Sequence, residues 1–117
     1  MQKGLRIMRK EYNKLIRDRI PEIIHESGKI PIVKQLTQAE HFEQARLKLY
    51  EEIKEYEETN IDEESLEELA DILELVYTLG NMHGADFDEL NRIREEKRKI
   101  RGGFEKGLFL EEVLDHE

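Results

Sequence analysis

KLYEEIKEYEETNIDEESLEELAD, residues 48–71, lies across two segments whose apolar residues recur every three or four positions. That spacing places the apolar side chains on one face of an α-helix. Asn60-Ile61-Asp62 interrupts the pattern, so the sequence predicts two long helices joined by a short turn. The first apolar stripe consists of Phe42, Ala45, Leu49, Ile53 and Tyr56, and the second of Ile72, Leu75, Val76, Leu79 and Met82.

Carboxylates interrupt both apolar stripes. At roughly 100° per residue, Glu68 falls in the middle of the second stripe and Asp71 lies about 60° to one side. Glu52 borders the first stripe, with Glu55 and then Glu51 further round the helix. Carboxylates on a buried face are costly unless a partner compensates them, and we expect no Lys or Arg on the same arc. A divalent cation held between the helices would satisfy them, and oxygen ligands favour Mg²⁺ or Mn²⁺ over zinc.

The alternative for each carboxylate is a position on a solvated helix face. In a chain with 40% charged residues, Glu at helical spacing is usually exposed and forms ion pairs one turn apart. For Glu68 and Asp71 the metal site is favoured, because their neighbours on the arc are Leu, Ile and Val. Glu52 and Glu55 fit either interpretation on pattern alone. The solvated interpretation is favoured for Glu51, Glu57, Glu58, Glu63 and Glu67.

The composition of the chain limits the classes of function. At 117 residues with 38% hydrophobic content, we expect a single domain, residues 1–117, whose modest core a second subunit completes. The chain has no cysteine and therefore no thiolate metal ligands. A net charge of −9 argues against nucleic-acid binding, which depends on cationic contacts to phosphate. No apolar run is long enough to span a membrane and no secretory segment is visible, so a cytoplasmic protein is expected.

Cationic residues are concentrated before the first long helix. Residues 1–11 show no period and are expected to form a loose, flexible arm. The next stretch, residues 12–21, reads YNKLIRDRIP and carries Lys14, Arg17 and Arg19. These side chains either form a solvated surface or contact phosphate beside an acidic metal site, where arginine binds in a bidentate manner.

Local signals predict the helix boundaries in the first half of the chain. Pro21 suits the first turn of a short helix that Gly28 ends. Residues 29–36, KIPIVKQL, are predicted to form a strand or an extended strap. The capping box Thr37-Gln38-Ala39-Glu40 begins the first long helix, which reaches Glu58.

The second half of the chain is predicted to be helical as well. Asp62 caps the second long helix, which runs to Met82 and closes at Gly84. A third long helix follows the cap Asp86-Phe87-Asp88-Glu89 and stops at Gly102-Gly103. Residues 107–110 could add a short strand or a packing segment. The predicted fold is therefore an all-α bundle of three long helices and a short N-terminal helix, completed by dimerisation.

The acidic groups resemble the signature of a known family. Glu51-Glu52-x-x-Glu55 followed by Glu68-x-x-Asp71 is similar to the paired acidic motif of the MazG-like all-α nucleoside triphosphate pyrophosphohydrolases. Residues 12–21 and residues 97–104, KRKIRGGF, resemble the start and end of a small single-domain branch that removes noncanonical nucleotides. The resemblance covers most of the chain between these two stretches, and none of the acidic positions departs from the motif.

This resemblance implies a metal-dependent enzyme. Members of the family hold Mg²⁺ through these carboxylates and cleave a nucleoside triphosphate between the α and β phosphates, giving monophosphate and pyrophosphate. A carboxylate or a second metal ion would activate water, and Glu52 or Glu55 is the expected base. The implied metal set is Glu51, Glu52, Glu55, Glu68 and Asp71. Charge and motif position make Lys14, Arg17, Lys97 and Arg101 the candidates for binding the phosphates of the substrate.

The resemblance also implies self-association and leaves two rival functions open. Family members are usually dimers or tetramers, and the broad apolar circumference of the second long helix agrees with a C₂ dimer. One rival function is that of a phosphoribosyl-ATP pyrophosphohydrolase of the same fold. The other is a non-catalytic helical interaction module, although a module has no need for Glu68 in an apolar stripe.

Overall fold

The chain is all-α in the computed structural model, which describes residues 6–116. No described residue belongs to a strand, so the predicted fold class, three long helices and a short N-terminal helix, is confirmed. None of the helices in residues 6–116 combines the length and the apolar character that crossing a membrane requires. The helices are α1 (Ile20–Glu26), α2 (Gln38–Glu57), α3 (Asp62–Met82) and α4 (Phe87–Arg101).

The chain divides into two compact units, Met1–Leu79 and Gly80–Glu117. The first unit contains α1, α2 and most of α3, and the second contains the last residues of α3 together with α4. The single domain expected from the sequence stays a prediction. Part of the predicted arm, residues 1–5, lies outside the described residues, and residues 6–11 are exposed and belong to no helix or strand.

Both segments for which a strand was one alternative lack regular structure. Residues 29–36 and 107–110 form neither helix nor strand, so the strand alternatives are wrong. A strand needs a neighbour to receive its backbone hydrogen bonds, and Pro31 removes one of the donors that such pairing requires. Ile30 and Ile32 in the first segment and Leu108 and Phe109 in the second are exposed.

The capping box at the start of α2 has formed as predicted. The Glu40 backbone N–H donates to Oγ1 of Thr37 at 3.2 Å, and the Thr37 N–H donates to Oε1 of Glu40 at 3.0 Å. These bonds satisfy two donors at the helix start and place a carboxylate at the positive end of the helix dipole. The helix ends at Glu57, one residue before the predicted end.

Thr37→Ala is expected to lower the free energy of unfolding by about 1 kcal/mol, because it removes the side-chain acceptor of the Glu40 N–H. Urea unfolding followed by circular dichroism measures this loss. Thr37→Ser is the matched control, since serine keeps the hydroxyl and should lie within a few tenths of a kcal/mol of the wild type. Equal stability of the alanine and serine variants would contradict the prediction.

Two of the remaining boundary signals act as predicted, and one is shifted. Oδ1 of Asp86 accepts a hydrogen bond from the Glu89 N–H at 2.9 Å, which caps α4. The same helix ends at Arg101, and the capping residue Gly102 has a φ of 83°, a left-handed conformation that glycine adopts without strain. Asp62 is the first residue of α3 and not the capping residue before it. Its carboxylate still lies in the first turn, where negative charge is favourable.

Few of the described residues are buried. Among residues 6–116, Ala45 is the only hydrophobic residue classed as buried, and the apolar stripes of α2 and α3 are half-buried or exposed. Many of the large hydrophobic side chains in the described residues are therefore exposed.

Candidate metal centre

All five predicted metal ligands are brought together by α2 and α3. They form two groups, one of Glu51, Glu52 and Glu55 and one of Glu52, Glu68 and Asp71. Within each group, one carboxylate oxygen per residue lies within 4.8 Å of the others. Glu52 belongs to both groups, so its carboxylate connects the acidic motif of α2 with that of α3.

Burial within the cluster differs from the expectation. Glu68 and Asp71 were expected to be the most enclosed, but both are half-buried, whereas Glu52 is buried with 6% of its surface exposed. Ala45 and Glu52 are seven residues apart, nearly two turns, and lie on almost the same line of α2. The buried line of the helix therefore passes through Glu52 and not through the centre of the apolar stripe. Helical periodicity could not show this, because the packing of α3 decides which line is covered.

Two buried oxygens of the cluster lack hydrogen-bond partners among the described residues. They are Oε2 of Glu52 and Oε2 of Glu68. Ionised carboxylates only accept hydrogen bonds, so neither group can satisfy the other. A buried acceptor without a donor is costly, and a cation is the partner that several carboxylates can share.

The cluster fits a hard divalent cation. Its donors are all carboxylate oxygens, which Mg²⁺ and Mn²⁺ prefer. Opposite ligands of an octahedral Mg²⁺ lie about 4.2 Å apart, so groups within 4.8 Å need only small side-chain movements to close on an ion. The two unpartnered oxygens would then have a ligand to bind.

Two pKa values record the crowding of the carboxylates. Burial raises the pKa of Glu52, and the neighbouring Glu68 carboxylate raises it further. Although the Glu55 side chain is exposed, partial loss of water around its carboxylate raises its pKa, together with the negative charge of Glu52 and Glu51. Proximity of like charges disfavours ionisation, and a divalent cation at the same place would reverse that effect.

A lysine of α2 lies against the cluster, contrary to the expectation that neither helix places a cation on this arc. The Lys48 Nζ is 3.7 Å from Oε1 of Glu51 and 3.5 Å from Oε1 of Glu52, and 19% of its side chain is exposed. Its spacing of four residues from Glu52 was visible in the sequence and typical of a helical ion pair. It was overlooked because the arc was defined by apolar residues, whereas a lysine can bury its alkyl chain along such a face.

Two predicted substrate-binding cations also lie beside the carboxylates. The Arg17 Nη2 is 2.6 Å from Oδ1 of Asp71, and the Lys14 Nζ is 3.8 Å from Oε1 of Glu51. Arg19, from the same stretch, pairs instead with Glu22 at 3.3 Å. The first two contacts agree with a cationic segment next to the acidic site.

The other two predicted cations belong to the second unit of the chain. Lys97 and Arg101 are exposed residues of α4, one helical turn apart. Arg101 lies in the last turn, where positive charge interacts favourably with the helix dipole. Substrate binding by these two side chains stays a prediction.

The fold and the site define a class: an all-α protein with a carboxylate cluster able to hold a divalent cation. No protein-family model, curated protein or solved structure matches this chain. The family resemblance therefore rests on the motifs and on their order along the sequence.

Proposed function

We propose that this protein is a metal-dependent nucleoside triphosphate pyrophosphohydrolase of the MazG-like type, acting on noncanonical nucleotides in the cytoplasm. One observation supports this most directly. Two clusters of three acidic residues share Glu52, and together they contain two buried oxygens that have no hydrogen-bond partner among the described residues. A purely structural cluster would gain nothing from collecting five carboxylates, whereas phosphoryl chemistry requires concentrated positive charge on bound metal.

The carboxylates have two roles in this proposal. The five clustered residues hold Mg²⁺, with Mn²⁺ as a substitute, and the ion supplies charge neutralisation for the phosphate oxygens. Of the two candidate bases, Glu55 is exposed and Glu52 is buried. Water arriving with the substrate reaches an exposed carboxylate more readily, so we assign proton acceptance from the attacking water to Glu55 and ligand positioning to Glu52.

The cationic side chains bind the triphosphate in this proposal. Lys14 and Arg17 lie next to the carboxylates that would hold the metal, so their positive charges would be close to a triphosphate bound there. Arginine offers two parallel N–H groups to one phosphate, which fixes its orientation as well as its charge. Lys97 and Arg101 are assigned to the same task from charge and motif position.

We also propose that the active form is a homodimer or a homotetramer. Many large hydrophobic side chains of the described residues are exposed, and obligate interfaces between subunits are more hydrophobic than other protein surfaces. Leu66, Leu69 and Leu73 follow one another at helical spacing on α3 and are all exposed, Leu66 by 65%. A second copy that covers this stripe would supply the core that one protomer lacks.

Pyrophosphate release from a panel of canonical and noncanonical triphosphates tests the proposal. The assay is run with Mg²⁺, with Mn²⁺ and with EDTA, and it includes phosphoribosyl-ATP. We expect release of pyrophosphate and monophosphate that requires metal and favours noncanonical bases. Cleavage of phosphoribosyl-ATP alone would replace the proposed substrate, and absence of turnover on every nucleotide would favour the non-catalytic module.

A further inference from the structure

We propose that Arg17 and the divalent cation compete for Asp71, so that the Arg17 guanidinium becomes available to substrate phosphate only after the metal has bound. This inference rests on the proposed function and adds to it an order of binding. In the absence of metal, Arg17 then acts as an internal counter-ion of the acidic site.

The contact that carries this inference is the shortest ion pair to the cluster. The Arg17 Nη2 donates to Oδ1 of Asp71 at 2.6 Å, which is a charge-assisted hydrogen bond. Asp71 shares its group with Glu52 and Glu68, each of which has a buried oxygen without a partner. Arg17 thus occupies one ligand of this group, whereas Oε2 of Glu52 and Oε2 of Glu68 have no hydrogen-bond partner among the described residues.

We expect the metal ion to displace Arg17 from Asp71. An ion ligated by Asp71 would place two positive charges close to the guanidinium, and like charges at short range repel each other. The Arg17–Asp71 pair itself is weak, because the two side chains are 58% and 39% exposed and water screens them. A cluster of five carboxylates can therefore exchange one exposed arginine for a dication.

The displaced arginine would stay close to the site. Leu15 and Ile16, which lie between Lys14 and Arg17 in the sequence, are half-buried and therefore anchor this segment. A guanidinium released from Asp71 keeps its full charge and its paired donors, which match a phosphate. Arg17 would thus exchange a carboxylate for a phosphate without moving its backbone.

The competing explanation is that Arg17 orients Asp71 and remains bound to it when the metal arrives. Groups that orient a metal ligand strengthen metal binding, and their loss lowers affinity about 10- to 100-fold. Competition predicts the opposite change, a higher metal affinity, because removal of the Arg17 guanidinium leaves Asp71 free to bind the metal. The direction of the change in metal affinity therefore separates the two explanations.

This test measures Mn²⁺ binding to the metal-free protein by electron paramagnetic resonance. The measurement is made without nucleotide and at low salt. Arg17→Gln is expected to bind Mn²⁺ roughly 5- to 10-fold more tightly than the wild type. Arg19→Gln removes the same charge two residues away, but Arg19 pairs with Glu22 outside the cluster. The Arg19 variant should stay within about 2-fold of the wild type, because water and salt screen its charge.

A second measurement follows the arginine itself. In the nitrogen–hydrogen NMR spectrum, the Arg17 Nε–H signal is identified by its loss in Arg17→Gln. Addition of Mg²⁺ alone should shift it towards the position of an unpaired, solvated arginine and leave the Arg19 signal in place.

The outcomes distinguish this inference from the proposed function. Weaker or unchanged Mn²⁺ binding by Arg17→Gln would overturn competition while leaving the metal centre intact. So would equal tightening by both arginine variants, or an Arg17 signal that does not move when Mg²⁺ binds. A wild-type protein that binds no Mn²⁺ at all would overturn both the metal centre and the competition.

Discussion

Glu68→Ala is expected to lower metal-dependent pyrophosphate release by about 100-fold or more while leaving the protein folded. Glu68 belongs to the group that connects α3 with Glu52, and one of its oxygens is buried without a partner. Loss of this carboxylate removes a metal ligand and leaves Asp71 as the remaining α3 member of the two groups. Pyrophosphate release at saturating Mg²⁺, with circular dichroism to confirm the helices, measures the effect.

Removal of the Glu68 charge should lower activity but raise the free energy of unfolding of the metal-free protein. Without metal, the half-buried Glu68 lies beside the buried carboxylate of Glu52, which is unfavourable. Glu68→Gln keeps the shape, removes the charge and adds a donor for that neighbour, so the metal-free variant should gain about 1 kcal/mol. Stabilisation together with inactivation is the expected result for a functional residue, whereas a structural residue would lose stability.

Glu67→Gln is the matched control for Glu68. It removes one negative charge from the adjacent position, which is exposed and belongs to neither carboxylate group. Its activity and its unfolding free energy should stay close to those of the wild type, within about 0.5 kcal/mol for stability. If Glu68→Gln remained fully active, or if Glu67→Gln lost activity to the same extent, the assigned role of Glu68 would be wrong.

The sequence predicts helix ends well in this chain because the signals at those ends are local. Thr37 and Asp86 each bond a backbone N–H three residues later, and Gly102 adopts a conformation that other residues avoid. Each effect depends on a few neighbouring residues, so it can be read without knowledge of the rest of the fold. Asp62 was predicted to precede α3 but is its first residue. A carboxylate is favourable anywhere in the first turn, so this signal does not fix the boundary to a single residue.

The details of the site required tertiary structure. Residue type and spacing predicted which carboxylates come together, but they did not predict that Glu52 is the most buried. They also missed Lys48, since its contact depends on where the alkyl chain lies against the helix face. The pair between Arg17 and Asp71 joins residues 54 positions apart, and no local rule specifies such a contact.

The metal-free protein is expected to become less stable as the pH rises above the ordinary glutamate pKa of about 4.3. Partial loss of water and neighbouring carboxylates raise the pKa of buried Glu52 and of exposed Glu55 in the folded protein. Between the ordinary and the raised values, the folded protein binds more protons than the unfolded chain, so the free energy of unfolding falls through that window. The loss persists at higher pH, where both carboxylates are ionised in the folded and the unfolded state.

Other carboxylates act in a different pH range. Hydrogen bonds to the Thr37 backbone and to Lys34 lower the pKa of Glu40, and Arg92 does the same for Glu89. Their stabilising effect is lost only when the pH falls below the ordinary glutamate pKa, through their lowered values. The decline above that pKa therefore reports the acidic cluster and not these exposed pairs.

Chemical unfolding of the metal-free wild type and of Glu52→Gln, at a series of pH values from the ordinary glutamate pKa upward, measures the effect of the cluster. Glu52→Gln should reduce the loss of unfolding free energy with rising pH. It removes the raised pKa of Glu52, and it removes the negative charge that helps to raise the pKa of Glu55. Mg²⁺ at neutral pH should restore much of the stability of the wild type and little of that of the variant, since ion binding neutralises the same repulsion. Identical pH profiles for the two proteins, with or without Mg²⁺, would show that Glu52 contributes nothing to the electrostatic cost of the cluster.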